Sequence, residues 1–317
     1  MIAYLARRLF YAVFVVFGVV TLVFFSLQLT PGDPISLLLP AEGGGVASQE
    51  LAQRLRERYG LDKPLHQQYL IYIGRVVQGD LGTSIRTGRT VAGELKRLYP
   101  ATLELTLAAL AIAVVIGLGT GVLAALNRNG PIDHLSMFFA LLGVSLPGFL
   151  LGVLLMLVFA LQLGWLPPSG RLGGVGSWEA IRFLIMPALT LGVAAAAIIA
   201  RLVRSAMLDV LSEDYVRTAR SKGLRHSQVV LRHALRNAIL PVVTVIGLEF
   251  GGLLAGAVIA ESIFSWPGLG RFLITSITGK DFPAVQGTVM FIAIIFVLVN
   301  LAVDMLYVVI DPRVRYA

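Results

Sequence analysis

Three acidic residues lie within long apolar runs of the sequence and are the first candidates for chemistry. They are Glu104, Glu249 and Asp304. An ionisable side chain in a lipid-exposed helix is energetically costly, so such residues often line a polar route for solute or protons. We prefer a structural interpretation, in which each acid pairs with an amide, a hydroxyl or water between helices. A proton relay would need a longer series of titratable groups, and none of the four histidines lies in an apolar run.

The longest polar and basic stretch between two apolar runs, residues 212–241, predicts two short helices joined by a turn. Ser212 is predicted to cap the first helix, and Gly223 stands where a positive φ would end it. Ser227 is predicted to cap the second helix, which has an apolar stripe. The stripe consists of Val230, Leu231, Ala234, Leu235 and Ala238. Basic residues beside membrane spans are common on the cytoplasmic side, but an apolar stripe there also needs a protein surface to bury it.

The composition is that of a membrane protein. The chain is 57% hydrophobic and 14% charged, with a mean hydropathy of +0.83, whereas soluble domains are about 25% charged. It has no cysteine, which excludes disulfides and thiolate metal sites. Its net charge of +8 suits loops facing anionic lipid, and no nucleic-acid partner is expected. Gly279-Lys280 is followed by Asp281 and is not a phosphate-binding loop, so any driving ATP must bind another chain.

Six apolar runs are long enough to cross a bilayer, which needs about 20 residues per helix. They cover residues 9–29, 101–126, 135–163, 181–207, 240–260 and 288–310, and the third is broken near Pro147. The predicted fold class is an all-α polytopic membrane protein with six transmembrane helices. A large extracytoplasmic segment follows the first helix, and a cytoplasmic loop joins the fourth to the fifth.

The same pattern predicts three parts of the chain. They are an N-terminal transmembrane anchor at 1–30, an extracytoplasmic segment at 31–98 and a transmembrane core at 99–317 that includes the loop at 208–240. We expect the first run to be an uncleaved anchor rather than a signal peptide, because it is too long and no small-residue cleavage site follows it.

Charge and tryptophan positions predict the orientation in the membrane. Arginine and lysine are concentrated in the segments that a six-span topology with both termini in the cytoplasm places inside. Trp165, Trp178 and Trp266 are then expected in an aromatic belt at the outer interface.

The loop after the fourth span resembles the cytoplasmic motif of inner-membrane permease subunits of binding-protein-dependent ABC importers. That motif is Glu-Ala-Ala, three residues and Gly, then a spacer ending in Ile-x-Leu-Pro. Residues 217–219, Gly223 and 238–241 stand in these places. The altered first residues and longer spacer are similar to the dipeptide, oligopeptide and nickel branch, whose Tyr-Val-Arg-Thr-Ala-Arg-x-Lys-Gly-Leu run spans residues 215–224. The resemblance implies an ATPase contact through Tyr215, Thr218, Ala219, Lys222, Gly223 and Leu224.

Residues 261–270 resemble a Glu-x-x-Phe-x-x-Pro-Gly-x-Gly segment of the same family. The resemblance favours a re-entrant, pore-lining gate at the outer mouth, and a plain loop is the alternative. The gate and pathway candidates are Glu261, Phe264, Pro267, Gly268 and Gly270, with Ser145, Pro147 and Glu249 as further positions. Motifs at 31–34, 60–65 and 79–84 also resemble the peptide branch. The segment that carries them is either a scaffold or a surface for a substrate-delivering protein.

The resemblance, from Pro31 to Arg313, identifies the chain as a non-catalytic permease subunit of a peptide-class ABC importer. It implies a location in the bacterial or archaeal cytoplasmic membrane. It also implies that the chain forms half of the pathway and works with partner subunits. These are a second homologous permease, two ATPase subunits that bind ATP and Mg²⁺, and an extracytoplasmic binding protein. The chain itself is expected to hold no cofactor and no metal. A nickel or glutathione permease of the same branch, an ion-coupled carrier, and a membrane enzyme or assembly factor are the alternatives.

Overall fold

The computed structural model describes residues 2–29, 35, 50, 52–54, 56–57, 62–173 and 176–310. These residues form helices and loops without a β-strand. Ten helices can be followed in this part of the chain. They are α1 (Ile2–Leu29), α2 (Leu65–Val77), α3 (Val91–Leu126), α4 (Pro131–Ser145), α5 (Gly148–Leu155, continued as a π-helix over Met156–Gln162), α6 (Trp178–Leu211), α7 (Asp214–Ser221), α8 (His226–Ile263), α9 (Leu269–Thr278) and α10 (Phe282–Ile310).

Six membrane spans are present among the described residues when α4 and α5 are counted as one. Helices α1, α3, α6, α8 and α10 are each long and apolar enough to cross a bilayer. The α4–α5 pair passes the same test, but its two helices meet at an angle of 105°. The break falls at Leu146 and Pro147, as the sequence predicts, because a proline cannot donate the hydrogen bond that would continue α4. The all-α polytopic class is therefore confirmed.

The chain divides into two compact units, and the first comprises Met1–Pro100 and Gly268–Ile295. Its apolar core joins the first turns of α3 to α9 and α10. The core residues are Val91, Leu95, Leu98, Leu269 and Ala284. A second contact within this unit joins α1 to α2, where the ring of Phe24 lies 5.3 Å from that of Tyr69 and 5.6 Å from that of Tyr72. The motif at 31–34 and the first two residues of the motif at 60–65 lie outside the described residues.

A buried carboxylate organises the polar part of the first unit. Asp281 accepts hydrogen bonds from the hydroxyl of Ser84 at 2.5 Å and from the amide of Ile85 at 3.1 Å. It also accepts from the amide of Ala284 at 3.3 Å and thus caps the start of α10. One side chain therefore holds the turn at 84–85 to the beginning of a membrane span.

The second unit comprises Ala101–Pro267 and Phe296–Ala317. Helix α6 is its most buried span and contacts α4, α5 and α8. Small residues allow this packing, with many alanines of α3 and α6 in the core. The inclusion of residues 268–295 in the first unit has no local signal in the sequence.

Helix α3 begins earlier than the second apolar run. The run starts at Ala101, whereas the helix starts at Val91 and contains Pro100. The charged residues Glu94, Lys96 and Arg97 exclude the first turns of α3 from the apolar run. Charged residues outside that run, however, do not end the helix. The side chain of Glu94 is in fact buried between two arginines, with the guanidinium of Arg89 at 3.2 Å and that of Arg97 at 2.6 Å.

The contact between α3 and α6 predicts a large difference between two neighbouring glycines. A Cβ atom at Gly121 would lie 2.7 Å from the backbone oxygen of Ala200, whereas one at Gly119 would meet nothing within 4 Å. We expect Gly121→Ala to lower the free energy of unfolding by about 1–3 kcal/mol, because the helices must move apart. Gly119→Ala should leave the midpoint of thermal unfolding in detergent unchanged or raise it, since alanine is the better helix former. Equal midpoints for the two variants would contradict this packing.

Candidate functional site

The polar stretch between α6 and α8 contains a short helix, but the predicted cap is wrong. Helix α6 continues to Leu211, and Ser212 follows its end with φ −85° and ψ −11°. An N-cap residue needs extended dihedrals, which Ser212 lacks, and its hydroxyl donates back to the carbonyl of Asp209 at 2.7 Å. Helix α7 starts at Asp214, preceded by Glu213 without a side-chain cap.

The turn at Gly223 is confirmed, but the helix after it differs from the prediction. Gly223 has φ +73° and follows Lys222, the last residue of the α7 turn. Helix α8 then begins at His226 behind Arg225 without a side-chain cap, so Ser227 is not its cap. It runs through a π-helical segment, Val229–Leu235, and through Pro241 to Ile263. The second loop helix and the fifth span are therefore one continuous helix.

The apolar stripe of the loop is buried against the chain itself. Val230, Ala234 and Ala238 belong to the main core of the second unit, together with Met207 of α6. Leu231 is 61% exposed and does not belong to the buried face. The protein surface that the stripe needs is therefore supplied largely by the chain itself, because α6 extends beyond the apolar run and packs against it.

Helix α7 also has a buried side. Val216 and Ala219 pack with Val229, and Val210 and Leu211 complete this small cluster. Ala219, predicted as a contact residue, is thus covered within the chain. Its small side chain allows the two helices of the loop to approach each other.

The opposite side of α7 is open. Tyr215, Thr218, Lys222, Gly223 and Leu224 are all exposed, and we call these five residues the α7 surface. The two large apolar members, Tyr215 and Leu224, are 42% and 38% exposed. The hydroxyl of Tyr215 accepts a hydrogen bond from the side-chain amide of Asn237 at 2.9 Å, which ties α7 to α8. The α7 surface is therefore a fixed, partly apolar patch at the end of a membrane-spanning helix.

The segment predicted as a gate is packed into protein. Glu261 and Phe264 are buried, and the carboxylate of Glu261 accepts a hydrogen bond from the hydroxyl of Thr102 at 2.6 Å. Pro267 is partly exposed, and Gly268 and Gly270 stand at the start of α9. A plain exposed loop does not describe this segment. Its role as a gate stays a prediction.

Trp266 does not belong to an aromatic belt. Its ring is buried, and its indole N–H donates to the carbonyl of Ala101 at 2.8 Å. Trp165 and Trp178 are exposed, as residues of a belt would be. Because every tryptophan near an interface shows the same sequence signal, only the packing distinguishes the buried one.

The acids within the apolar runs have different surroundings. The carboxylate of Glu104 pairs with Arg171 at 2.7 Å, and the guanidinium of Arg171 lies 5.7 Å from the ring centre of Trp266. Glu104 is thus structurally paired, although with a cation rather than an amide, a hydroxyl or water. Glu249 is half-buried in α8, and its carboxylate makes no hydrogen bond or ion pair to another described residue. Asp304 lies outside the described side chains.

One ion pair with a buried carboxylate was not predicted from the sequence. Asp133, in the first turn of α4, accepts two hydrogen bonds from Arg204 of α6, at 2.5 and 2.6 Å. It also accepts from the amide of Asn129 at 2.9 Å. The residues are 71 positions apart, and neither one has a local sequence signal of such a pair. No group of His, Asp or Glu that could hold a metal occurs in the described part of the chain.

The six apolar spans and the bend in the third define a polytopic α-helical membrane protein. The family profile "binding-protein-dependent transport system inner membrane component" matches residues 117–316, and the profile of the corresponding N-terminal part matches residues 1–106. The chain therefore belongs to this family, and it is a transmembrane permease subunit of an ABC importer.

Similar proteins support the same class. The chain is 46% identical to the di/tripeptide transport system permease protein DppB of Pseudomonas aeruginosa, over 100% of this chain and 99% of that protein. It is 44% identical to the glutathione transport system permease protein GsiC of Escherichia coli K12, over the full length of both. An inward-facing structure of the methionine ABC transporter MetNI covers 69% of this chain and 96% of its own, with a TM-score of 0.58. At 21% identity, that likeness concerns the fold alone.

Proposed function

We propose that this subunit forms half of a pathway that imports dipeptides and oligopeptides. The proposal is supported by its 46% identity to a di/tripeptide permease over the full chain. The 44% identity to a glutathione permease keeps glutathione, itself a small peptide, as the second candidate. In the proposed complex the other half of the pathway is a second, homologous permease, and an extracytoplasmic binding protein delivers the substrate.

The observation that carries the coupling part of the proposal is the α7 surface. Tyr215 and Leu224 expose apolar side chains at the end of α6, where a membrane span leaves the bilayer. Such side chains are stabilised when a partner covers them. Two ATPase subunits, which bind ATP and Mg²⁺, would each contact one permease, and the α7 surface would be the contact on this one. Because α7 packs on the end of α6 and on α8, a movement of α7 would be passed to two membrane spans.

The proposed orientation places both termini and the α7 surface in the cytoplasm. It is supported by the basic residues around α7, which include Arg217, Arg220 and Arg225. The segment between α1 and α3 would then be extracytoplasmic. Glu261 and Phe264, in this orientation, lie near the outer mouth, and Ser145, Pro147 and Glu249 lie along the spans as pathway candidates.

The assembly is tested by removing the apolar side chains of the α7 surface. We expect Tyr215→Ala combined with Leu224→Ala to weaken ATPase binding by about 30-fold or more, because central apolar contacts contribute at least ~2 kcal/mol. The measurement is co-purification of the ATPase subunits in detergent. Ser212→Ala is the matched control, since Ser212 is exposed in the same loop but its hydroxyl bonds only to its own helix. Full recovery of the ATPases with the double variant would contradict the proposed contact.

Transport by the reconstituted complex tests the substrate and the energy source. We expect uptake of a labelled dipeptide into proteoliposomes that depends on ATP, on the ATPase subunits and on the binding protein. Glutathione uptake with no dipeptide uptake would favour the second candidate. Uptake that continues without ATPase subunits and follows an ion gradient would instead indicate a secondary carrier.

A further inference from the structure

The first unit contains a cavity that neither the pathway nor the α7 surface accounts for. Its volume is about 190 Å³, and it lies among the end of α1, α2, the turn at 80–85 and the start of α10. A cavity of ~150 Å³ is large enough to hold benzene, so this one can take a small molecule or a headgroup. The apolar part of its wall includes Phe24 and Phe282, and the polar part includes four charged side chains.

Tyr72 lines the cavity and carries a hydroxyl group that can donate a hydrogen bond. This hydroxyl is buried and has no hydrogen-bond partner in the described structure. A buried polar atom without a partner destabilises the fold, so a ligand that reaches this hydroxyl would gain a hydrogen bond. Burial, and secondarily Tyr69, raises the pKa of Tyr72 to about 12, so the hydroxyl keeps its proton at neutral pH.

Among the described residues, the charged side chains that line the cavity are balanced in sign. Lys63 and Arg75 are cationic, and neither forms an ion pair with a described residue. Glu57 and Asp80 are anionic. The Asp80 carboxylate accepts one bond from the amide of Gly82 at 2.9 Å, and that of Glu57 accepts one from Gln53 at 2.9 Å. Each acid therefore keeps oxygen lone pairs for a further donor.

We infer that this cavity binds a compact zwitterion that carries both an anionic group and a primary ammonium. Arg75 and the hydroxyl of Tyr72 would bind the anionic group, because a guanidinium matches a carboxylate or a phosphate in shape and charge. Glu57 and Asp80 would bind the ammonium group. The described part of the wall has two charges of each sign, which disfavours a simple anion or cation, since either would leave two like charges without a partner.

Two sources supply this chemistry. A free dipeptide has a carboxylate and a primary ammonium, and the headgroup of phosphatidylethanolamine has a phosphate and a primary ammonium. The cavity lies beside Phe24 and Gln28, near the end of the membrane-spanning helix α1, where both a soluble ligand and a lipid headgroup can reach it. The inference goes beyond the proposed transport function and does not depend on the direction of transport.

The test uses the purified full chain, freed of lipid in detergent, with two probes. Titration calorimetry measures the binding of L-alanyl-L-alanine. Native mass spectrometry measures the retention of phosphatidylethanolamine, with phosphatidylcholine, whose ammonium is fully methylated, as the lipid control. We expect one probe to bind. Arg75→Gln should weaken its binding by about tenfold or more, and Tyr72→Phe by about three- to tenfold.

Two control variants show whether a loss of probe binding is specific to the residues that line the cavity. Tyr69→Phe removes a hydroxyl that bonds to Thr21 and does not line the cavity, and Arg54→Gln removes an exposed charge away from it. Both should bind the probe as the wild type does. Without ligand, Tyr72→Phe should unfold at the same temperature as the wild type or higher, because the hydroxyl it removes has no partner. Binding of neither probe, or equal binding by the wild type, Arg75→Gln and Tyr72→Phe, would overturn the inference.

Discussion

Gly223→Asp should reduce substrate-stimulated ATP hydrolysis and uptake by about tenfold or more in the reconstituted complex. The space around Gly223 is open, so the added side chain meets no atom, and bulk alone is not the cause. The backbone has φ +73°, which disfavours residues with a Cβ atom. The new carboxylate would also stand on the α7 surface, where docking of a partner would remove the water that solvates it.

A matched variant separates the two causes. Asparagine has nearly the same size as aspartate and adopts positive φ more readily than most residues. Gly223→Asn should therefore retain most of the stimulated activity, whereas Gly223→Asp should lose it. If the two variants are equally impaired, backbone strain rather than burial of a charge explains the effect. If Gly223→Asp keeps normal stimulation and uptake, the proposed role of the α7 surface is contradicted.

Arg204→Met should be strongly destabilising, lowering the free energy of unfolding by about 3–5 kcal/mol. The change leaves the carboxylate of Asp133 buried, with the amide of Asn129 as its remaining donor among the described residues. A buried charge that has lost its partner costs far more than the pair contributes when both are present. The measurement is thermal or denaturant unfolding of the purified chain in detergent.

The double variant shows whether the lost pairing is the cause. Asp133→Asn keeps an acceptor for the amide of Asn129 and removes the charge. Asp133→Asn combined with Arg204→Met should therefore be clearly more stable than Arg204→Met alone. An additive loss in the double variant would contradict the explanation. Because α6 leads directly into α7, we also expect Arg204→Met to reduce stimulated ATP hydrolysis in the complex.

The membrane spans and the turn at Gly223 could be predicted because local sequence determines them. Apolar runs of span length indicate a membrane-spanning helix, and a glycine after a basic helix end indicates a positive φ. The break at Pro147 is of the same kind. The cap at Ser212 was predicted from a local rule that is correct in itself, but α6 continued past the apolar run and changed the dihedrals of that residue.

The long-range polar contacts could not be predicted in this way. Asp133 pairs with a residue 71 positions away, and Asp281 bonds to Ser84 across 197 positions. Nothing in the local sequence distinguishes these acids from exposed ones. The burial of Trp266 and of Ala219 likewise depends on which helix packs against them.

Labelling of a single introduced cysteine tests the central claim most directly. The chain has no cysteine of its own, so Thr218→Cys creates one reactive site on the α7 surface. A membrane-impermeant maleimide should label it in inverted membrane vesicles from cells without the ATPase subunits, and assembly of the transport-active complex should protect it. Ser212→Cys, off that surface, should label more evenly in both states. Equal labelling of Thr218→Cys with and without the ATPases, or its labelling from outside intact cells, would contradict the account.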